Sequence, residues 1–107
     1  MTTHAGWLAA GESASPPALM ARVRELFGAH AEWEELPRVD AFIAAAEVLL
    51  RRVLQGSAAA RARALDLLAA DACVTWAFEA AADDPSTIAG GADRATRGIA
   101  SIAAEFA

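Results

Sequence analysis

A chain of 107 residues with a net charge of −5 has room for one hydrophobic core. All nine basic residues are arginine, which excludes a phosphate-loop lysine and Schiff-base chemistry. Scattered arginines in an acidic chain offer no basic face to nucleic acid, one cysteine forbids an internal disulfide or a Cys-rich metal site, and no apolar run reaches the ~18 residues of a membrane span.

Residues 1–14 read as a lead-in or one short helical turn, with Trp7 and Leu8 as its apolar anchor. Nothing in them resembles a basic region followed by an apolar run, so a cytoplasmic location is expected. Residues 15–107 read as one domain. Ser15 ahead of Pro16 and Pro17 is a helix start signal, and Leu19, Met20, Val23, Leu26, Phe27 and His30 follow at helical spacing. A first helix is expected from Pro16 to about Glu35, weakened at Gly28.

Pro37 punctuates the chain. Val39, Phe42, Ile43, Ala46, Leu49, Leu50 and Val53 then form one apolar face, and Gly56 suits the position just after a helix. This predicts a second helix over Arg38 to Gln55. Ser57 is the expected cap of a third, running from Ala58 to about Asp83 without Gly or Pro. Asp84 and Pro85 restart the chain as N-cap and first helical residue. Ile88, Ala92, Ala95, Ile99, Ile102 and Phe106 alternate by four and three along a fourth helix, which Gly90 and Gly91 are expected to divide. Period-two alternation is missing. Short connections make successive helices antiparallel neighbours, so the expected fold is all-α, an antiparallel up-down four-helix bundle with a short N-terminal lead-in.

With 31 alanines, fewer than half of the hydrophobic residues are larger than a methyl side chain. Facing the larger ones inward gives the third helix an apolar arc of Leu65, Leu67, Leu68, Val74, Trp76 and Phe78. That arc marks it as the central helix. It also places Asp71, Thr75 and Glu79 on an internal line, with Asp66, Arg63, Ala70, Cys73 and Ala81 outside. Buried acids must be paired, protonated or bound to a cation, so Asp71, Thr75 and Glu79, joined by His30 from the first helix, are the candidate internal polar site. Arg38, Arg51, Arg52 or a tryptophan N–H are the structural partners such acids would find; solvation of a partly exposed arc is the other ordinary outcome.

A carboxylate in an apolar pocket suits acid–base work, and Phe27, Trp33, Phe42, Trp76 and Phe78 are candidate lining for a small apolar ligand. The same aromatics serve equally to fill a core rich in alanine. A di-iron site needs Glu-x-x-His motifs that the chain lacks, and it has only two histidines, so neither a metal centre nor a cofactor is expected. The string LAADACVTWAFEAAA, residues 68–82, is similar to a helix of the trans-isoprenyl diphosphate synthases that reads L-x-x-D-x-x-x-x-x-A-F-E. The Asp-rich diphosphate–magnesium motifs of that family are absent and the chain is too short for its fold, so the likeness implies only a small-residue central helix. Ala41, Ala44, Ala45 and Val48, off the apolar face of the second helix, form a flat surface suited to contact between chains. The function expected is a non-enzymatic, self-associating interaction module, a homodimer; the alternative is a ligand-binding or acid–base bundle centred on the third helix.

Overall fold

The computed structural model describes residues 3–10, 15–56 and 58–107, and among these all regular secondary structure is helical. Five α-helices appear where four were expected: α1 His4–Ala10, α2 Pro17–Ala29, α3 Arg38–Gln55, α4 Ala60–Ala82 and α5 Ile88–Glu105. Two 3-10 turns, Ala31–Glu35 and Pro85–Thr87, precede α3 and α5. A four-helix bundle therefore describes the chain only in its helical class.

The departures have local causes. Part of the lead-in is a helix, because His4 and Leu8 bury one of its faces. Residues 11–14 and the Ser57 cap lie outside the described residues. The first long helix stops at Ala29 rather than near Glu35. His30 leaves the helical region at φ −123°, and the following 3-10 turn swings Trp33 into the core. Ser15 makes no side-chain cap there; Pro16 holds the N-cap position. Gly56 ends α3 in the left-handed conformation at φ 67°, as its place in the sequence suggests. Asp84 does cap, accepting from the Ser86 backbone N–H, but what it opens is the 3-10 turn ahead of α5. Gly90 and Gly91 do not divide α5. The buried face of α5 is also rotated from the expected one: Gly91, Ala95 and Ile102 are buried, while Ile88, Ile99 and Phe106 stay exposed.

The central helix is α3, not the third long helix expected. It packs against α2, α4 and α5, and its buried residues occupy most of its circumference: Val39, Ala41, Phe42, Ile43, Ala45, Ala46 and Leu49. Phe42 is the hub, with the rings of Trp7, Phe27 and Trp76 at 5.3, 5.4 and 6.0 Å. The short connection after Gly56 returns α4 along α3, its main packing partner. α5 runs parallel to α3, tied to it by Arg94 on Glu47 (2.9 Å) and Arg51 on Glu105 (3.1 Å).

α4 turns toward α3 the face expected to point outward. Asp66, Ala70, Cys73, Ala77 and Ala80, spaced four, three, four and three, are all buried. Large side chains from α2 and α3, among them Met20, Leu26, Phe42 and Leu49, already fill the interior. A seam of alanine and cysteine lets the α4 backbone approach them closely, which interdigitation at crystal-like density requires.

Candidate functional site

The rotation of α4 relocates the candidate site. Asp71, Thr75 and Glu79 lie on the exposed side of the helix, so the internal polar line is corrected to a surface line. The Thr75 hydroxyl donates to the backbone carbonyl of Asp71, one turn earlier, at 3.1 Å. Glu79 borders an open cleft of about 350 Å³ with Trp7, Met20 and Trp76. His30 is not near them. Its ring stacks on Trp33 at 4.1 Å, and its Nδ1 lies 3.2 Å from Glu32. The Glu32 carboxyl sits below its ordinary range, held there by its own backbone N–H and then by His30.

The aromatic set does not line one pocket. Phe27, Trp33 and Phe42 are packed inside the core, Trp76 is at its edge, and Phe78 points away into the groove beside α5. The surface proposed on the second helix is interior as well: Ala41 and Ala45 are fully buried, and Ala44 and Val48 pack against the core. Both errors follow from α3 being central, since a central helix has no face to spare for another chain.

Sequence reasoning missed two buried polar residues. Asp66 is 3 % exposed, with its Oδ1 3.5 Å from the Nε of Arg22 on α2. Neither Asp66 Oδ1 nor Arg63 Nε has a hydrogen bond of normal geometry among the described residues. The available signal was the regular small-residue seam on which Asp66 falls. His4 is the second. Its Nε2 lies 3.1 Å from the Trp33 carbonyl and 3.0 Å from that of Leu36, and Arg38 Nε approaches Nδ1 at 3.4 Å. Two carbonyls on one nitrogen and a donor on the other assign the neutral tautomer with hydrogen on Nε2. The ring joins α1 to the turn that leads into α3, and no spacing rule links partners so far apart in the chain.

No three His, Cys, Asp or Glu side chains converge on one point among the described residues. The Cys73 thiol is buried against α3, and burial pushes it up to about 12, far from a reactive thiolate. No helix among the described residues is long and apolar enough to cross a membrane.

What the structure does expose is apolar. On α4, Leu68 is 60 % and Leu67 52 % exposed, with Phe78 at 39 % farther along. Ile99 of α5, 39 % exposed, extends the surface. Between the two helices runs a shallow groove of about 490 Å³, floored by Val74, Phe78, Ala92, Thr96 and Ile99. Asp71 borders a neighbouring cleft with Leu67, Val74 and Ile99, and Thr75 and Glu79 are exposed farther along α4, so the three candidate site residues of the third helix interrupt an exposed surface instead of an interior one. No family model matches the chain, and comparison with curated proteins and with solved structures finds no match either.

Proposed function

We propose that this protein is a small, non-enzymatic helical interaction module that associates with a second copy of itself through the outer face of α4 and the adjoining face of α5. One observation carries the reading: α4 holds large apolar side chains on the side that its own chain leaves open. Leu67 and Leu68 are more than half exposed on a helix whose opposite side is sealed against α3. An amphipathic surface helix shows a single apolar stripe with polar residues opposite; a helix apolar all round belongs in an interior.

Charge selects the occupant. Arg61 and Arg63 stand in the first turn of α4, and Glu79 and Asp83 stand at its end. This order opposes the helix macrodipole, which favours acids at the start and bases at the end. The same strip reversed presents acids to the exposed Arg61 and Arg61 to those acids. A second copy in antiparallel orientation therefore offsets at both ends what the isolated helix leaves unfavourable.

Sedimentation equilibrium over the micromolar range tests the reading, with a dimer of the 11.1 kDa chain as the expected species. Leu68→Glu is expected to give a folded monomer, because it places a charge on the outer face alone. Ala45→Glu is expected to unfold the chain, because Ala45 is fully buried on α3. A wild-type monomer at all concentrations removes the proposal.

A further inference from the structure

The outer strip of α4 is self-complementary about a single point. Arg61, Ala64, Leu68, Asp71, Thr75, Phe78 and Ala82 are all exposed. They share one side of the helix because spacings of three and four residues return to it. Centred on Cys73, which is buried on the other side, they match in pairs. Asp71 precedes it by the two residues by which Thr75 follows, Leu68 by the five of Phe78, and Ala64 by the nine of Ala82. Arg61 stands twelve before, and Asp83 and Asp84 stand ten and eleven after, within the reach of an arginine side chain.

We infer that two copies pair through α4 in antiparallel orientation, with Cys73 of one opposite Cys73 of the other across the thickness of the two helices. The inference rests on the self-association proposed above and fixes its register. Each Leu68 packs on the second copy's Phe78, each Ala64 on its Ala82, and each Asp71 carboxylate accepts from its Thr75 hydroxyl, which turns away from the backbone carbonyl it meets within its own helix. Arg61 reaches the two aspartates that end the opposing helix.

Other registers are poorer. Displacing the centre by half a heptad toward the N-terminus sets Leu68 against Asp71, an apolar side chain against a carboxylate. Displacing it toward the C-terminus carries Leu68 beyond the opposing helix, which ends at Ala82. Parallel pairing sets Asp71 on Asp71 and the arginines on each other. A single polar residue in an apolar seam is a recognised means of fixing register and direction, and Asp71 with Thr75 fills that role here.

Disulfide formation reads the register directly. Ala64→Cys and Ala82→Cys are mild exposed changes, and the native thiol stays silent because it is fully buried. Under mild oxidation the mixture of the two variants is expected to cross-link, since a disulfide needs Cα atoms within about 7 Å. Neither variant alone is expected to do so, because like positions lie some 18 residues apart, about 27 Å along the axis. Arg61→Glu is expected to weaken association about tenfold by setting acid against acid. Self-linking of either variant alone overturns the antiparallel register. A wild-type dimer in which no mixture cross-links overturns the register and leaves self-association standing, whereas a wild-type monomer overturns both.

Discussion

Val39 and Gly91 meet where α5 crosses α3: a Cβ on Gly91 would stand 2.9 Å from Val39 Cγ1. Valine is stiff about its first torsion and cannot swing aside. The preceding glycine has open space, with no neighbour within 4 Å of the point where a methyl group would stand. The two glycines therefore respond oppositely to the same change. Gly90→Ala gains helix propensity and is expected to stabilise by up to ~1 kcal/mol. Gly91→Ala gains the same propensity and loses more to overpacking, for a net destabilisation of about 1–2 kcal/mol. Denaturant midpoints of the two variants check the sign of each.

His4 supplies the polar anchor of α1. Its ring sits against Phe27 at 6.1 Å while its Nε2 addresses the Trp33 and Leu36 carbonyls. His4→Ala removes the ring donor shared by the Trp33 and Leu36 carbonyls, of which Trp33 keeps the Leu36 backbone N–H, at a cost of about 0.5–1.5 kcal/mol. Amide exchange locates the loss. Protection in α1 is expected to vanish while α3 and α4 remain protected, since short helices survive only through tertiary contacts. Unchanged exchange in α1 would show that Leu8 and Trp7 suffice to anchor it.

Legibility varied with side-chain size. α3 could be read to the residue, because Pro37 and Gly56 bracket it and its large apolar residues recur by three and four. α4 could be delimited but not oriented. Its buried face is alanine and cysteine, its outer face carries leucine and phenylalanine, and a rule that turns the larger residues inward selects the wrong side. Its true face depends on how much volume α2 and α3 have already supplied, which no window within α4 contains. The same blindness moved Asp66 outside and Asp71 inside. His4 escaped for a different reason: its partners lie 29 and 32 residues away, and nothing local marks a histidine in a seven-residue helix as an anchor.

The buried Asp66 is expected to depend on Arg22 more than Arg22 depends on it. Asp66 keeps 4 % of its side chain exposed, whereas Arg22 keeps 27 %. Arg22→Ala therefore leaves an interior carboxylate without the cation at 3.5 Å, a change that costs about 3–5 kcal/mol for a buried ion pair. Asp66→Ala leaves an arginine that still reaches water, and its cost is smaller, about 1–3 kcal/mol. Asp71→Ala, on the exposed face, is expected to lie within about ±0.5 kcal/mol at concentrations where the chain is a monomer. Urea midpoints for the three variants order the effects, and a larger loss at Asp71 than at Asp66 would reverse the orientation of α4.

Cys73 gives the protein an alkaline limit of its own. Burial raises its thiol from 9.0 to about 12 in the folded chain, while the unfolded chain ionises near the ordinary value. A group whose folded value is raised contributes fully below the unfolded one and loses that contribution as pH rises toward the folded one. The window is thus pH 9 to about 12, and stability is expected to fall across it by about 1.4 kcal/mol per pH unit. Most proteins hide such an effect beneath lysine and tyrosine, which titrate in the same range. This chain has neither, and its arginines ionise higher still. Urea midpoints at pH 8, 9.5 and 11 should therefore decline for the wild type and stay level for Cys73→Ala. A thiol reagent at pH 8 should leave the native cysteine unmodified and label it once urea unfolds the chain. Equal slopes for the two proteins would mean that the thiol is not sealed between α3 and α4.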